Sequence, residues 1–419
     1  MVFRYLRVPA MLLICLFLAA CALPGDPESG TEVPVAKQDL RIAALDHYVG
    51  DLNDPEVLAR YTRCDIIIVP CDRFWGKPGH EGELELLRAA KPELKILGFF
   101  RSKALKANWG DRPREEQTYL YDLFHASKPY WCSTTTGDTL MDWPGTIVYN
   151  YTDPEARKAM LGVFTHYQKT SSNKFDGVYW DYFNEVLWIA PAVDTMEGDP
   201  DIDGDGISHW DDPDEIQAFK DAQYDWAREM QAAMGPRFIM VANGSRALTD
   251  STFAHEFDGM DYELFPNVGF GRGDTFRTAL DVTQYNNLFT SVTWNRTLNG
   301  GPWLLLGHAQ VVGSYNDPDL GWQTIQAGDL LRAVALLTGA TSMYYDNSGQ
   351  HRAGIPKVEL DLGAPLGRAT IEGDLYSREF ERGRIDLFMG IGSYPVPFAY
   401  VIPQNGVVVE EFGEFPTSP

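Results

Sequence analysis

Residues 175–183 read FDGVYWDYF and residues 257–265 read FDGMDYELF. Phe, Asp, Gly and the closing Phe coincide, and Glu263 falls where Asp181 falls. Branched and aromatic residues following a glycine predict a strand in each segment. Asp181 and Glu263 therefore come at the same point near the C-terminal ends of two strands, the end at which parallel α/β proteins usually carry their chemistry. Two carboxyls flanking one bond are what glycoside cleavage requires. One must be an anion, acting as nucleophile or base, and the other must hold a proton for the leaving oxygen. Asp181 lies on a strand that runs straight into the cleft wall and suits the first role. Glu263, flanked by Tyr262, Leu264 and Phe265, has the more apolar neighbours and suits the general acid/base role. Asp261 shares the face of Glu263 under period-two alternation and competes for the acid role; Glu185, in a loop, competes more weakly. The alternative is that both acids are solvated loop starts sharing a strand-like consensus.

Two acids on separate strands meet only if the strands share one sheet. Apolar strand candidates occur at 41–45, 65–69, 94–100, 175–180, 238–242, 259–262, 303–306 and 342–345, each closed by a polar residue. Their near-continuous hydrophobicity suits parallel strands buried on both faces. Helical stretches at 83–90, 153–168, 213–234 and 329–337 fill gaps between them, the second opening on Asp153 and Pro154 as N-cap and first-turn proline. Repeated strand–helix alternation predicts an α/β fold, a (β/α)8 TIM barrel over 40–350. A doubly wound sheet would carry a Gly-rich phosphate turn after its first strand, and AALDHYVGD lacks one. After Gly354 the periodicity shortens, and 351–419 read as a small C-terminal antiparallel β appendage.

The polar residues at strand ends are candidates for holding sugar hydroxyls: Asp46, His47, Arg101, Tyr179, Asn243, Asp261, His308 and Asp346. Each of these types serves structural roles about as often. Two insertions interrupt the alternation. Residues 103–150 hold Tyr130, Trp131, Trp143 and Tyr149, and read as a helix and a hairpin walling one side of the barrel mouth. Residues 184–212 contain Asp201, Asp203 and Asp205, then Gly206 and Asp212. This is calcium-loop spacing with Asp in place of Glu at the last position. A structural calcium there would stiffen the loop beside Asp181; a solvated acidic loop is the plainer alternative. Nothing in the sequence calls for an organic cofactor.

The chain is 44% hydrophobic and 13% aromatic, ample for a large core. Its net charge of −24 excludes nucleic acid as a partner class, since no basic stripe exists to neutralise phosphates. A neutral or cationic carbohydrate suits such a surface better. Arg4 and Arg7 precede the apolar run 11–20, too short to span a bilayer, so residues 1–20 read as a signal peptide. The run ends Leu-Ala-Ala-Cys, which resembles the lipobox of bacterial lipoproteins. That resemblance implies a lipid anchor on Cys21, a tether over 21–39, and attachment to the bacterial cell envelope. Ala22 after the cysteine favours the outer membrane, with the protein facing the periplasm or the surface. Cys64, Cys71 and Cys132 remain, an odd number that allows one disulfide and leaves its pairing open.

DGVYWDYF, DGMDYELF and the later YSREFERGRIDLF together resemble bacterial glycoside hydrolases. They are similar to the endo-alpha-1,4-polygalactosaminidase-like TIM barrels and the hypothetical glycosyl hydrolase families around them, over roughly residues 40–412. The resemblance implies that Asp181 and Glu263 are the acids at the fourth and sixth strands. Family members often close the last motif with an Asn-Pro turn, whereas Asp386-Leu-Phe-Met-Gly stands here. Three functions compete: a glycosidase, with retention of anomeric configuration favoured; a non-catalytic glycan-binding surface lipoprotein on the same scaffold; and a metal-dependent hydrolase using Asp46, His47 and His308. The third is disfavoured by the absence of His pairs at ligand spacing.

Overall fold

In the computed structural model the short β-branched and aromatic runs form parallel strands. These are β1 Ile42–Asp46, β2 Ile66–Pro70, β3 Lys95–Arg101, β4 Gly177–Asp181, β5 Ile239–Asn243, β6 Gly259–Tyr262, β7 Trp303–Gly307 and β8 Thr341–Asp346. The structure describes residues 42–101, 103–181, 184, 186–190, 193, 196–244, 252, 256–262, 303–307, 332–346, 362–373, 375–388, 398–403 and 410–412. Of these, 262, 303–307, 345–346, 388, 398–403 and 410–412 are described by backbone alone. The strands pair in the order β1-β8-β7-β6-β5-β4-β3-β2, and β2 returns to β1, so a curled parallel sheet forms the centre of a mixed α/β molecule. The observed bounds lie within two residues of the predicted ones.

Alternation sorts the strand residues into two layers. Ala43, Leu45, Ile66, Ile68, Leu97, Phe99, Tyr179, Val241 and Met343 form one buried cluster, the filled interior of the curled sheet. Their neighbours in sequence, Ile42, Ala44, Ile67, Val69, Ile96, Phe100, Val178, Trp180, Met240 and Ala242, join the helices in a second, larger cluster. Aromatic rings dominate that outer layer: Trp75 meets Phe164 and Phe175 edge-on, and Trp226 meets Phe100 and Trp180. Such pairs add roughly 0.5–1.5 kcal/mol each beyond burial. At Gly177 a side chain is excluded, since a Cβ would lie 2.1 Å from the carbonyl oxygen of Ile239 on β5.

The helices begin where the sequence supplies caps. Asp54 opens α1 Pro55–Tyr61, Asp153 opens α5 Pro154–Thr170 and Asp212 opens α6 Pro213–Met234, each with proline in the first turn. Between them lie α2 Cys71–Phe74, α3 Glu83–Ala90 and α4 Thr118–Ser127. A further helix at 332–338 precedes β8. The predicted hairpin is present: Met141–Trp143 pairs with Thr146–Val148, which pairs with Ala104–Lys106 just beyond β3. The two insertions also join, through Ser133–Thr134 against Pro200–Asp201.

The C-terminal residues form a five-stranded antiparallel sheet in sequential order: β9 Thr370–Glu372, β10 Leu375–Phe380, β11 Gly383–Phe388, β12 Phe398–Pro403 and β13 Glu410–Phe412. Strand β9 escapes the sequence pattern because all three of its residues are exposed. Arg378 on β10 docks this sheet: its guanidinium donates to the carbonyls of Leu336 (2.8 Å) and Leu337 (3.3 Å) in the 332–338 helix. Burial of that group lowers its pKa to about 10. Cys64, Cys71 and Cys132 are all buried thiols, and the disulfide that the sequence allows is not formed. Residues 1–41, including Cys21, lie outside the described residues. Among the described residues no helix is long and apolar enough to cross a membrane.

Candidate active site

The alternation that fills the interior also selects which strand ends face the mouth. Asp181 continues the inward series of Tyr179 on β4, Asn243 that of Val241 on β5, Arg101 that of Phe99 on β3, and His47 that of Leu45 beyond β1. Arg101 and Asp181 are register partners across β3 and β4. The Asn243 amide donates to Asp181 Oδ1 at 3.2 Å. Asp181 is half-buried. Burial raises its pKa above the usual carboxylate value, while the Arg101 charge, the Asn243 hydrogen bond and the Lys103 charge act against that rise. His47 packs edge-on against Phe99, with ring centroids 4.7 Å apart. Burial first, then Arg101 and Lys106, lower its pKa to about 4, so it is a neutral imidazole at pH 7.

Tyr179 and Asp261 form a second pair deeper in the interior. The tyrosine hydroxyl donates to Asp261 Oδ2 at 2.6 Å, both residues are buried, and the Tyr179 ring stacks on Phe99. Asp261 is the register partner of Asn243. Its position ties β6 to β4 beneath the rim on which Asp181 stands. Glu263 follows β6 directly but lies outside the described residues, as does His308 after β7.

Asp46 sits differently from its neighbour His47. It belongs to the outward series of Ile42 and Ala44, and its carboxylate accepts from the Tyr48 amide at 2.7 Å and from the Tyr61 hydroxyl of α1, with Arg60 at 3.5 Å. Adjacent strand residues point to opposite faces, so the two candidates do not share one site. Asp346 is the backbone register partner of Asp46; its side chain lies outside what is described.

Three polar residues that act on Asp181 or on its neighbour Arg101 were not among the candidates from sequence. Lys103 is buried and pairs with buried Asp142 of the hairpin at 3.3 Å. Burial lowers the Lys103 pKa to about 8, against the pull of Asp142 and Asp181. Asp72, on α2 after β2, has its pKa raised by burial and opposed by Arg101. Lys103 and Asp72 each lie two residues beyond a strand end, and continuing the alternation past that end would have found them. Asp142 carries no local signal, because its partner comes from a distant segment.

The acidic loop folds tightly. Asp201 accepts from the amides of Gly204, Asp205 and Gly206 at 2.7–3.1 Å, and Asp212 caps α6 by accepting from Asp214 and Glu215. Two groups of carboxylates converge within 4.8 Å: Asp203, Asp205 and Asp212, and Asp201, Asp203 and Glu215. Glu215, which the spacing did not single out, also accepts from the Ile202 and Asp203 amides and pairs with buried His209 at 2.6 Å. The other ring nitrogen of His209 accepts from the Leu187 amide at 3.1 Å, linking this loop to the segment after β4.

No protein-family model and no curated relative matches the chain. Solved structures do. The alpha-galactosidase from Lactobacillus brevis is 11% identical with a TM-score of 0.46, covering 91% of this chain and 53% of its own. The GH31 dextranase of Flavobacterium johnsoniae is 12% identical with a TM-score of 0.48, covering 87% and 47%. A GH36 alpha-galactosidase of Geobacillus stearothermophilus, AgaA, is 9% identical with a TM-score of 0.44, covering 91% and 54%. The chain spans about half the length of each of these structures.

Proposed function

We propose that the chain is a glycoside hydrolase on a (β/α)8 barrel, with Asp181 as nucleophile or base and Glu263 as general acid/base. The observation that carries this reading is the setting of Asp181. It is a half-buried carboxylate at the C-terminal end of a barrel strand, oriented by Asn243 and faced by Arg101. A developing positive charge at a sugar carbon would meet this anion, and neutral His47 and Asn243 offer hydrogen bonds to hydroxyls. Glu263 enters from sequence, as the residue following β6 on the face of Asp261. Asp181→Asn and Glu263→Gln keep shape and remove one role each. Each is expected to lower turnover of a cleavable glycoside by about 10²–10⁴-fold with unchanged melting temperature. Near-normal turnover in either variant sinks the assignment. Binding of a glycan that the wild type never cleaves would replace it with the glycan-binding alternative.

The same reading places calcium in the 201–212 loop and a lipid on Cys21, holding the enzyme to the cell envelope, at the outer membrane. For the anchor, Cys21→Ala is expected to move the protein from the membrane to the soluble fraction. Unchanged membrane fractionation of that variant removes the anchor.

A further inference from the structure

Below the rim, one buried hydrogen bond and a row of rings run from β6 to β3. Tyr179 on β4 and Asp261 on β6 reach each other past β5: the hydroxyl donates to the carboxyl at 2.6 Å, and each residue is 1% exposed. Both are too enclosed to touch a guest at the mouth. Tyr179 belongs to the apolar interior cluster with Leu45, Ile68, Phe99 and Val241. A polar pair kept in such a layer specifies one arrangement where apolar groups alone could settle in several. The Tyr179 ring stacks on Phe99 of β3, with centroids 5.6 Å apart and planes inclined at 25°. Phe99 is in turn the surface on which two groups of the rim stand. The His47 ring meets it edge-on at 4.7 Å, and the Arg101 guanidinium lies 6.0 Å from its centroid. Arg101 is the register partner of Asp181, and Asp261 is that of Asn243, whose amide donates to Asp181.

We propose that Asp261 is a positioning residue of the candidate site: through the Tyr179 hydroxyl it fixes the Phe99 ring, and through that ring the places of His47 and Arg101 at the rim. The proposal rests on the glycosidase reading for what the rim does and deepens it. The two acids of DGMDYELF then divide the work, Glu263 for the chemistry and Asp261 for the framework beneath it. The linkage itself needs no substrate, so it can be read directly on His47.

The test is nuclear magnetic resonance of the full chain carrying 13C-labelled histidine, with the His47 signal identified by its loss in His47→Gln and followed through a pH titration. Burial first, then the Arg101 and Lys106 charges, lower the His47 pKa to about 4, so the wild-type ring is expected to stay neutral down to about pH 5. Tyr179→Phe removes the donor and Asp261→Leu the acceptor. Each should let the Phe99 ring turn and open His47 to water, raising its midpoint by at least about one pH unit toward the ordinary value of about 6.5. Asp261→Asn keeps an acceptor oxygen and should hold the midpoint within about half a unit of the wild type. Removing a negative charge would by itself lower the midpoint, so a rise separates displacement of the rings from a change of charge. Melting temperatures on the same samples show which variants are folded, and Tyr179→Phe decides should Asp261→Leu unfold. A midpoint unmoved or lowered in Tyr179→Phe, or in folded Asp261→Leu, overturns the proposal, and so does an Asp261→Asn midpoint raised as far as that of Asp261→Leu. Such a failure leaves the glycosidase reading untouched, whereas full turnover in Asp181→Asn would sink that reading and leave the linkage standing.

Discussion

At the scale of the residue, Asp181 titrates against fixed neighbours of both signs. Burial lifts its pKa, Arg101, Asn243 and Lys103 hold it down, and Asp142 pushes it up. Under the role proposed for Asp181, catalysis by the anion fails as pH falls through that pKa, which sets the acid limb of the rate profile. Lys103→Met removes a nearby cation, so the limb is expected to move to higher pH. Asp142→Asn removes a nearby anion, so it is expected to move to lower pH. A rate–pH profile of each variant checks the two directions, and displacement of both limbs the same way refutes this account of the Asp181 environment. Lys103→Met also strands a buried carboxylate, a loss of about 3–5 kcal/mol, and its melting temperature should drop accordingly. The inward set His47, Arg101, Asp181 and Asn243 was legible from alternation along single strands. The facing of Asp46 was legible by the same rule, but pooling strand-end polar residues put it with His47. The Lys103–Asp142 pair was not legible, because its members meet only when the hairpin folds back over the end of β3.

At the scale of the element, the acidic loop is already ordered by its own amides before any ion is considered. Asp201 takes three of them and Asp212 is occupied as the cap of α6. Spacing identified the loop, yet it could not assign the cap or the approach of Glu215 from the first turn of the helix. Carboxylates within 4.8 Å of one another repel unless protonated or bridged, and burial with Glu215 and Asp205 close by raises the pKa of Asp203. Calcium binding to the folded state is expected to raise the melting temperature, by about 2.7 kcal/mol of stability at one hundred times the dissociation constant. That rise should vanish in the Asp203→Ala, Asp205→Ala double variant. Differential scanning calorimetry with and without millimolar calcium decides the matter, and equal curves for the wild type discard the ion. Because His209 joins Glu215 to the Leu187 amide, stiffening here also steadies the segment carrying Trp188.

At the scale of the whole molecule, the parallel strands were legible because each is short, apolar and closed by a polar residue. The C-terminal sheet was legible as a change of period after Gly354, although its docking through Arg378 was not, since a charged residue in a strand gives no hint of which carbonyls it will meet. The closure of the sheet has a consequence in time. β1 pairs on one side with β2, its successor in the chain, and on the other with β8, from Ile42↔Ser342 through Asp46↔Asp346. A chain that emerges from its N-terminus therefore carries one bare edge of β1 for nearly the whole of its synthesis. An unpaired strand edge is a template for any other chain, including another copy of this one, and pairing so distant in sequence is slow to form. Arg378 arrives later still, after both edges have met. The growing polypeptide thus depends on whatever shields that edge until the last strand is made.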